Sequence, residues 1–362
     1  MKVLELDQLE EWYSENFQSK LSGRRILFDD ISPLITDLNK EFQRNILGYS
    51  VNQIPIYKIS IGNGSKKIMI WSQMHGNEST GTKALFDVFN FLSHPKELSP
   101  IADNILENCS LIFIPILNPD GSINFTRENA EGIDLNRDAV DLKAVESNIL
   151  RTILDEFEPN FCFNLHDQRS IFNVENTQNP AILSFLAPSV EETRKVTRGR
   201  KETMSVIVSM NKLLQQVIPN SIGRYTDEYY PTATGDNFQK LGYNTILIEA
   251  GHFQNDYDRE ITRKFNFYGL LQGIYTIATE EKQDNWKPYF DIPNNDKKYF
   301  DVIYRNAKVI EDDKELIVDV GILFKYKIVE SKLLQYEHVE KKGDLSSYFG
   351  HKEIDLSNKT FS

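Results

Sequence analysis

The sequence predicts an α/β fold in which helices cover both faces of a largely parallel sheet, followed by a small β-rich module. From about residue 51, short apolar runs alternate with stretches whose apolar residues recur at helical spacing. The apolar runs have no polar interruption, which is typical of strands buried on both faces of a sheet. The alternation stops near residue 280, where a polar segment with Pro288 and Pro293 precedes short runs of β-forming residues.

The predicted elements follow these patterns in order along the chain. Residues 5–20 are predicted to form a polar helix with apolar residues on one stripe, namely Leu9, Trp12, Tyr13 and Phe17. The strands predicted next are 67–71, 111–117, 160–165, 181–187 and 244–248. The helices predicted between them are 79–92, 145–157 and 201–217. Further strands are predicted near the C-terminal end at 301–304, 316–320, 322–328 and 333–338.

The change of pattern predicts two domains. The main domain is predicted to span residues 1–287 and to begin with a helical lead-in over residues 1–50. The small β-rich module is predicted to span residues 288–362. Because the module contains none of the reactive motifs described below, we expect it to pack against the main domain.

The composition excludes some classes of partner. The chain of 362 residues has 53 acidic and 41 basic side chains, which give a formal net charge of −12. Nucleic acids and anionic membranes attract positive surfaces, so we expect neither as a partner. Cys109 and Cys162 lie in apolar runs and are expected to be buried thiols of a reducing compartment. The first residues do not resemble a secretory signal, and the expected location is the cytoplasm.

The first reactive motif follows the strand at 67–71. In the sequence SQMHGNEST, His75 and Glu78 are three residues apart. At a turn between a strand and a helix, an imidazole nitrogen and a carboxylate at this spacing can reach one small cation. Histidine and glutamate ligands with an open coordination position are typical of catalytic zinc. Such pairs also occur by chance, so this motif alone is weak evidence for a metal site.

A third candidate ligand follows a different strand. The strand at 160–165 ends in His166, and polar residues come directly after it. The carboxyl ends of parallel strands share one edge of a sheet, which is where α/β proteins bind ligands. Two histidines and one glutamate would hold one zinc ion and leave a fourth position for water. The competing histidine is His252, because it lies three residues after another candidate for the site, Glu249.

Glu249 follows the strand at 244–248, which is apolar or β-branched in most positions. An acidic side chain at the end of a buried strand must be paired, coordinated or catalytic. Near a zinc ion, it would take a proton from the bound water and later pass it to a leaving amine. The alternative is a structural acid in a salt bridge, and this residue alone does not decide between the two.

The segment between the first two ligand motifs carries candidate substrate-binding residues. Asn136 and Arg137 follow the acid Asp134. Arginine offers a rigid two-pronged donor for a carboxylate, and asparagine adds amide donors, so this pair would hold the charged end of a peptide. Arg127, ten residues before Arg137, is a candidate to polarise a carbonyl and stabilise its oxyanion. Each arginine taken alone is more often a solvated surface residue.

Together, these motifs resemble those of the M14 family of zinc carboxypeptidases. The matching elements are H-G-N-E, N-P-D-G, R-x-N-x-x-G-x-D-L-N-R, a strand ending in N-L-H and a late strand ending in glutamate, over about residues 50–280. The resemblance implies a mixed, mostly parallel central sheet flanked by helices. It also implies one zinc ion per chain, held by His75, Glu78 and His166.

The same resemblance assigns roles to the remaining motif residues. It implies that Glu249 is the general base and acid and that Arg127 acts on the carbonyl and its oxyanion. It further implies that Asn136 and Arg137 bind the carboxylate of the substrate.

Some positions differ from the usual pattern of that family. Asp138 and Ala139 follow the D-L-N-R element, where an asparagine and an aromatic residue are common. The sequence NLHDQ stands where Asp-Leu-His or Asp-His is commoner. The family also brings a mobile tyrosine from a loop before the catalytic glutamate, and Tyr225, Tyr229 and Tyr230 are equal candidates for it.

Three functions are compatible with these motifs. The leading hypothesis is a cytoplasmic zinc carboxypeptidase in which a zinc-activated water attacks the C-terminal peptide bond, with Glu249 as general base. The second is an N-acyl amino acid deacylase resembling the succinylglutamate desuccinylase and aspartoacylase group, although N-P-D-G and its spacing to D-L-N-R favour the peptidase. A non-catalytic binding protein on the same fold would lack a ligand or the base, and all are present. The expected partner is a peptide or N-acyl amino acid with a free carboxylate, whereas side-chain preference and oligomeric state are not predicted.

Overall fold

Helices and strands alternate along most of the chain. The structure is a computed structural model that describes residues 2–311, 314–357 and 359–361. Its helices are α1 (Leu6–Asn16), α2 (Phe28–Asp37), α3 (Thr80–Ser93), α4 (Ser99–Asn108), α5 (Pro119–Asn124), α6 (Val145–Phe157), α7 (Arg198–Leu214), α8 (Thr234–Lys240) and α9 (Glu260–Thr279). Its strands are β1 (Gln43–Tyr49), β2 (Pro55–Ile61), β3 (Lys66–Ser72), β4 (Cys109–Ile114), β5 (Phe161–Asp167), β6 (Phe172–Val174), β7 (Leu183–Leu186), β8 (Ile222–Arg224), β9 (Asn244–Ala250), β10 (Asn295–Lys297), β11 (Tyr299–Glu311), β12 (Lys314–Val329), β13 (Lys332–Gly343) and β14 (Phe349–Asp355).

Within the described residues, the main domain is built on one eight-stranded sheet. The strand order is β1-β2-β4-β3-β5-β9-β7-β8. The four central strands β4, β3, β5 and β9 are parallel, whereas β1 and β2 are antiparallel additions on one side and β7 is antiparallel to β9. The predicted mixed, mostly parallel sheet is therefore confirmed. Its topology brings the carboxyl ends of β3, β5 and β9 to the same edge.

The residues of β3 show why helices cover both faces of this sheet. Ile68 and Ile70 are buried in the core formed with α3 and α9, and the alternate residues Met69 and Trp71 are buried in the core formed with α6 and α8. Successive side chains of a strand point to opposite faces, so an uninterrupted apolar run is buried on both sides. The predicted strand pattern thus has its expected physical cause.

The predicted helical lead-in over residues 1–50 contains α1 and α2 and ends in a strand. Leu9, Trp12 and Tyr13 of α1 are buried against the main core, whereas Phe17 lies after the helix and is exposed. The strand β1 pairs antiparallel with β2 at the edge of the large sheet. Among the described residues, no helix combines the length and apolar character needed to span a lipid bilayer.

The C-terminal part forms a second sheet with the strand order β13-β12-β11-β14. The stretches predicted as two strands, 316–320 and 322–328, are one long strand, β12, with an irregular register at Gly321. A Cβ atom on Gly321 would lie 2.8 Å from the ring of Phe300, so a glycine is required where this strand crosses that ring. The predicted β-rich character is confirmed, while the predicted boundary after residue 287 stays a prediction.

Strand pairing and side-chain contacts attach the C-terminal part to the main domain. The short strand β10 pairs antiparallel with β6, with Asn295 opposite Val174. Nε2 of His351 in β14 lies 2.8 Å from the backbone carbonyl oxygen of Ser170, just after β5. Because β5 carries a predicted metal ligand, the C-terminal sheet lies next to the edge where the reactive motifs meet.

Candidate active site

Two histidines and a glutamate converge at the carboxyl ends of β3 and β5. His75 and Glu78 lie in the loop between β3 and α3, and His166 is the second-last residue of β5. Nδ1 of His75 lies 2.9 Å from Oε1 of Glu78, and Nδ1 of His166 lies 2.8 Å from Oε2 of the same carboxylate. The two Nδ1 atoms are 3.2 Å apart. The structure thus brings together the three residues predicted as metal ligands.

The donor atoms of this cluster suit a metal ion. Ligand atoms from the three residues all lie within 4.8 Å of one another. Imidazole nitrogens and a carboxylate oxygen are ligands that zinc takes in proteins, and a single cation between these side chains would bind all three. The side chains of His75 and His166 are 1% and 2% exposed, so a bound ion would be enclosed by protein on that side.

Asp134 fixes the orientation of His75. Its Oδ1 lies 3.1 Å from Nε2 of His75, and an ionised carboxylate can only accept a hydrogen bond, so we assign the ring proton to Nε2. Nδ1 of His75 then keeps its lone pair directed at Glu78 and His166. A carboxylate behind the histidine ring is typical of metal-binding histidines.

Asp134 also positions two further residues of the site. Its Oδ2 accepts a hydrogen bond from Nε of Arg127 at 2.9 Å, and its Oδ1 accepts one from the backbone N–H of Asn136 at 2.9 Å. Nη1 of Arg127 lies 3.1 Å from Nδ1 of His75 and 3.5 Å from Oε1 of Glu78. Burial raises the pKa of Asp134, but His75 and Arg127 outweigh this effect and hold the pKa below its ordinary value. A charged aspartate therefore connects the metal cluster to Arg127.

The cluster also sets the protonation states of its own members. Burial lowers the pKa of His75, but Glu78 and Asp134 outweigh it, and the pKa is raised overall. At His166, burial outweighs the effect of Glu78, and the pKa is lowered. Burial would raise the pKa of Glu78, but the two histidines hold it well below its ordinary value. The anion of Glu78 and the neutral ring of His166 are therefore favoured, as in metal ligands, whereas the raised pKa of His75 favours a ring proton that metal binding would displace.

Glu249 stands beside the cluster on the neighbouring strand. In the register between β5 and β9, His166 and Glu249 are direct partners. Within the described residues, no hydrogen bond or ion pair engages the Glu249 carboxylate. Burial raises the pKa of Glu249 well above its ordinary value, and the charges of Glu78 and Asp167 raise it further. An unpartnered acid with a raised pKa fits a role in proton transfer better than a structural salt bridge.

Close contact between two loops holds the ligand loop in place. A Cβ atom on Gly76 would lie 1.9 Å from the carbonyl carbon of Gly121 in the N-P-D-G turn, so no side chain fits there. Asn118 caps α5 by accepting a hydrogen bond from the backbone N–H of Gly121 at 2.8 Å. Its Nδ2 donates to the carbonyl oxygen of Met74 at 3.2 Å. The loops that carry the H-G-N-E and N-P-D-G motifs are thus packed directly against each other.

Asn136 and Arg137 lie on the turn after Asp134 and keep groups available for a ligand. Oδ1 of Asn136 accepts a hydrogen bond from the backbone N–H of Thr234 at 3.0 Å, so its amide nitrogen is the part left to donate. The guanidinium of Arg137 lies 5.6 Å from the ring centre of Tyr230. Nη1 of Arg137 donates a hydrogen bond to the backbone carbonyl oxygen of Asn136 at 2.7 Å. Within the described residues, no carboxylate pairs with the guanidinium, so its other N–H groups are left for an external anion.

The three candidate tyrosines have different surroundings. The ring of Tyr230 packs on the arginine just described. Burial raises the pKa of Tyr225 well above its ordinary value, and the nearby charge of Glu249 raises it further. The ring of Tyr229 faces Lys240 at 5.8 Å, and its buried hydroxyl has no partner among the described residues. Tyr225 and Tyr230 therefore lie next to predicted site residues, and Tyr229 faces away.

The competing histidine, His252, does not join the metal cluster. Its ring lies 4.5 Å from that of Tyr257 and 4.3 Å from that of His351 in the C-terminal sheet. Burial lowers the pKa of His252 to about 2, so the ring is neutral. His252 is therefore a packing residue between the main domain and the C-terminal sheet.

Asp134 and Asp138 have structural roles that the sequence motifs did not reveal. The position of Asp134 at the start of D-L-N-R could have predicted part of its role. An aspartate before a short helical turn can accept backbone hydrogen bonds. Asp138, which departs from the common family pattern, accepts hydrogen bonds from the backbone N–H groups of Lys143 at 3.0 Å and Ala144 at 2.8 Å. It therefore shapes the loop that leads into α6.

Known proteins with a similar sequence are carboxypeptidases. A family model, Peptidase_M14, described as zinc carboxypeptidase, matches residues 36–271. Carboxypeptidase SOL1 of Arabidopsis thaliana is 26% identical over 219 residues, which cover 54% of this chain and 44% of that protein. Carboxypeptidase 2 of Trichophyton rubrum is 28% identical over 105 residues, which cover 28% of this chain and 19% of that protein. The chain spans less than half of the length of these curated relatives.

Solved structures share the fold. A metallo-carboxypeptidase from Burkholderia cenocepacia superposes with a TM-score of 0.56 at 16% identity, over 70% of this chain and 69% of that chain. Carboxypeptidase A from Helicoverpa armigera superposes with a TM-score of 0.55 at 16% identity, over 76% of this chain and 81% of that chain. At this level of identity, the likeness concerns the architecture of the sheet and its helices.

Proposed function

This chain belongs to the M14 family of zinc carboxypeptidases, and we propose that it is a zinc-dependent enzyme that hydrolyses the C-terminal peptide bond of its substrate. The observation that carries the proposal is the content of one site. It holds a metal-ligand cluster and two residues that lack a charged partner among the described residues, the acid Glu249 and the arginine Arg137. Each of these groups supplies one function that a metal-dependent exopeptidase requires.

His75, Glu78 and His166 would hold the zinc ion. Two histidines and one carboxylate are a ligand set of catalytic zinc, which keeps another position open for water. When bound, the ion lowers the pKa of that water and polarises the carbonyl group of a substrate. Asp134 would keep the ring of His75 turned towards the ion, and its loss would weaken binding of the metal.

Glu249 would act as the general base and then as the general acid. Its position beside His166 in the strand register places it at the metal cluster. With no other partner in the described residues, its carboxylate is available to accept a proton from the attacking water and to return it to the leaving amine. A raised pKa makes the return of the proton easier near neutral pH.

Arg127 would stabilise the oxyanion of the tetrahedral intermediate. Its Nε is held by Asp134 at 2.9 Å, which turns the remaining N–H groups towards the metal cluster. A fixed donor near developing negative charge contributes most when it is already oriented before the reaction. The contact of Nη1 with Nδ1 of His75 at 3.1 Å supports this role, because the scissile carbonyl would bind at the metal.

Asn136 and Arg137 would bind the C-terminal carboxylate and so make the enzyme an exopeptidase. The test uses the zinc-loaded protein and two peptides that differ only at the C-terminus, one with a free carboxylate and one amidated. We expect only the free peptide to be cut, because losing a charge pair costs about 2–5 kcal/mol. Arg137→Lys should raise KM more than it lowers kcat, since the charge stays but the fork is lost. The matched control is Arg151→Lys, an arginine of α6 that pairs with Asp155 at 2.8 Å.

The same experiment separates the alternative functions. An N-acyl amino acid deacylase would turn over N-acyl amino acids quickly and peptides hardly at all. Equal cleavage of the free and amidated peptides would contradict both the carboxypeptidase and the deacylase roles of Arg137. A non-catalytic binding protein would cut neither substrate even with a full equivalent of zinc.

A further inference from the structure

A cavity opens from the metal cluster on the side that faces the C-terminal sheet. It has a volume of about 200 Å³ and includes Asn77 and Glu78 in its lining. Neither Asn136 nor Arg137 lines it. A peptide whose C-terminal carboxylate is held by that pair, and whose scissile carbonyl lies at the metal, must continue beyond the metal on another side. The cavity is therefore where the residue on the amino side of the scissile bond would lie.

The C-terminal sheet supplies one wall of this cavity. Asp301 of β11 and Leu323, Phe324 and Tyr326 of β12 line it. The wall is held in place by ring contacts between the two domains, such as that of Tyr257 with Phe324 at 4.9 Å. The C-terminal sheet thus contributes side chains to the site, beyond the packing role expected from its sequence.

Three arginines from the main domain, Arg24, Arg169 and Arg259, line the cavity together with three carboxylates, those of Glu78, Asp167 and Asp301. Arg259 is buried and donates hydrogen bonds to the backbone carbonyl oxygens of Ala250 and Gln168. Its positive charge therefore has no directly bonded carboxylate within the described residues. Arg24 lies 5.8 Å from the ring centre of Tyr326, which orients its guanidinium along the wall.

The two aspartates that line the cavity are already engaged. Oδ2 of Asp301 accepts the backbone N–H of Phe324 at 2.7 Å. Oδ2 of Asp167 accepts the hydroxyl of Thr80 at 2.7 Å and lies 3.6 Å from Nη1 of Arg24. The remaining oxygen of each aspartate is buried without a hydrogen-bond partner among the described residues.

Arg169 is the cation of this lining that is left for a ligand. It is exposed, and within the described residues no carboxylate pairs with it. It follows β5 directly, three residues after His166, so its backbone is fixed to the strand that carries a candidate metal ligand. A carboxylate on the substrate would therefore meet a positive side chain on the segment that follows the strand of this candidate ligand.

We propose that this cavity is the subsite for the residue on the amino side of the scissile bond and that it favours an acidic side chain there. The inference rests on the proposed carboxypeptidase function. An acidic side chain would pair with Arg169 beside Arg24, against the wall formed by Tyr326. Side chains of the C-terminal sheet would then help to determine which substrates this enzyme prefers.

The test compares N-acetyl dipeptides that share one C-terminal residue and carry glutamate, glutamine or alanine before the bond. The zinc-loaded wild type should cut the glutamyl peptide with a kcat/KM at least about tenfold above that of its glutamine isostere. Arg169→Gln should reduce this ratio to near one, and Arg169→Lys should keep part of it. The matched control is Arg198→Gln, whose side chain is 94% exposed on α7 and which should leave the ratio unchanged.

A binding measurement gives a readout that does not depend on turnover. N-acetylglutamate should raise the melting temperature of the wild type more than N-acetylglutamine does, and Arg169→Gln should remove the difference. Cleavage of all three dipeptides at similar rates, or a ratio that Arg169→Gln does not change, would overturn the subsite and leave the carboxypeptidase proposal standing. No cleavage of any peptide, with the difference in melting temperature intact, would instead overturn the carboxypeptidase proposal and support the cavity as an acid-binding site.

Discussion

His166 and Glu249 are direct partners in the register between the parallel strands β5 and β9. Paired residues of neighbouring parallel strands present their side chains to the same face, so a candidate metal ligand and the candidate base emerge side by side. Their spacing is set by the backbone of two buried strands and not by a loop. Removing the acid function of one should therefore leave the other in place.

The first prediction concerns Glu249→Gln, which keeps the size of the side chain and removes its ability to take a proton. We expect bound zinc and the melting temperature to stay near wild type while kcat falls by about 10²–10⁴, the usual loss for a positioned proton-transfer group. Metal analysis, thermal unfolding and steady-state kinetics check the three quantities. Glu315→Gln, a change on the C-terminal sheet where Glu315 pairs with Lys308 at 2.8 Å, is the control. Near wild-type turnover in Glu249→Gln would make this residue a structural acid.

The second prediction concerns metal content. His166→Ala removes one of three ligands, so bound zinc should fall well below one equivalent per chain after dialysis. His338→Ala is the matched control, because His338 is 43% exposed on β13 and far from the ligand set. Atomic absorption on both variants measures the difference. One full equivalent in His166→Ala would rule out the ligand set proposed here.

The third prediction concerns Asp134. Asp134→Asn keeps the shape of the side chain but offers an amide in place of a carboxylate to His75, Arg127 and the backbone of Asn136. Zinc affinity should fall by about 10–100-fold, as for other carboxylates behind metal-binding histidines. Competition with a chelator of known affinity measures the change. An unchanged affinity would show that the hydrogen bond at 3.1 Å to His75 does not orient that ring.

The fourth prediction concerns the pH dependence of stability at Asp236, whose Oδ1 accepts the backbone N–H of Tyr230 at 3.2 Å. Burial raises the pKa of Asp236 from 3.8 to about 6. The protonated form is therefore favoured in the folded state, and its stabilising effect is present below pH 3.8 and lost as the pH rises through 6.

Asp236→Asn should remove this dependence, because an amide does not ionise in that range. Relative to the variant, the wild type should lose up to roughly 3 kcal/mol of unfolding free energy between pH 4 and pH 7. Urea unfolding at several pH values measures it, with the exposed Asp141→Asn as the control. A difference between wild type and variant that is constant with pH would contradict the raised pKa.

Much of the central sheet could be predicted because its strands have a simple cause. The runs at 67–71, 160–165 and 244–248 are mostly apolar, and each became a central strand with side chains buried on both faces. The helix predicted over 145–157 has the same bounds in the structure, since one face of α6 is apolar and the other is solvated. The ligand motifs follow these strands, so their meeting at one edge follows from the topology of a parallel sheet.

Other elements have no such pattern in the sequence. The helix α9 is buried on nearly all sides, and some of its polar residues pair inside the core, as where Arg263 pairs with Asp87 at 2.7 Å. A helix without a solvated face gives no stripe for periodicity to reveal. The cavity beside Glu78 was equally hidden, because its walls come from β12 and from the segment after β5, which are distant in sequence.

The order of strands in the sheet has a consequence for how the chain acquires its metal. The candidate ligands and the base lie in the loop after β3 and on β5 and β9. These three strands are neighbours in space but are joined by long crossover connections. Parallel strands joined in this way form late, since the chain must close large loops before their contacts stabilise it. Metal affinity would therefore arise only in the final stage of folding. Zinc at a free concentration 100 times its dissociation constant would then stabilise the native state by about 2.7 kcal/mol, and a chelator would withdraw that stabilisation.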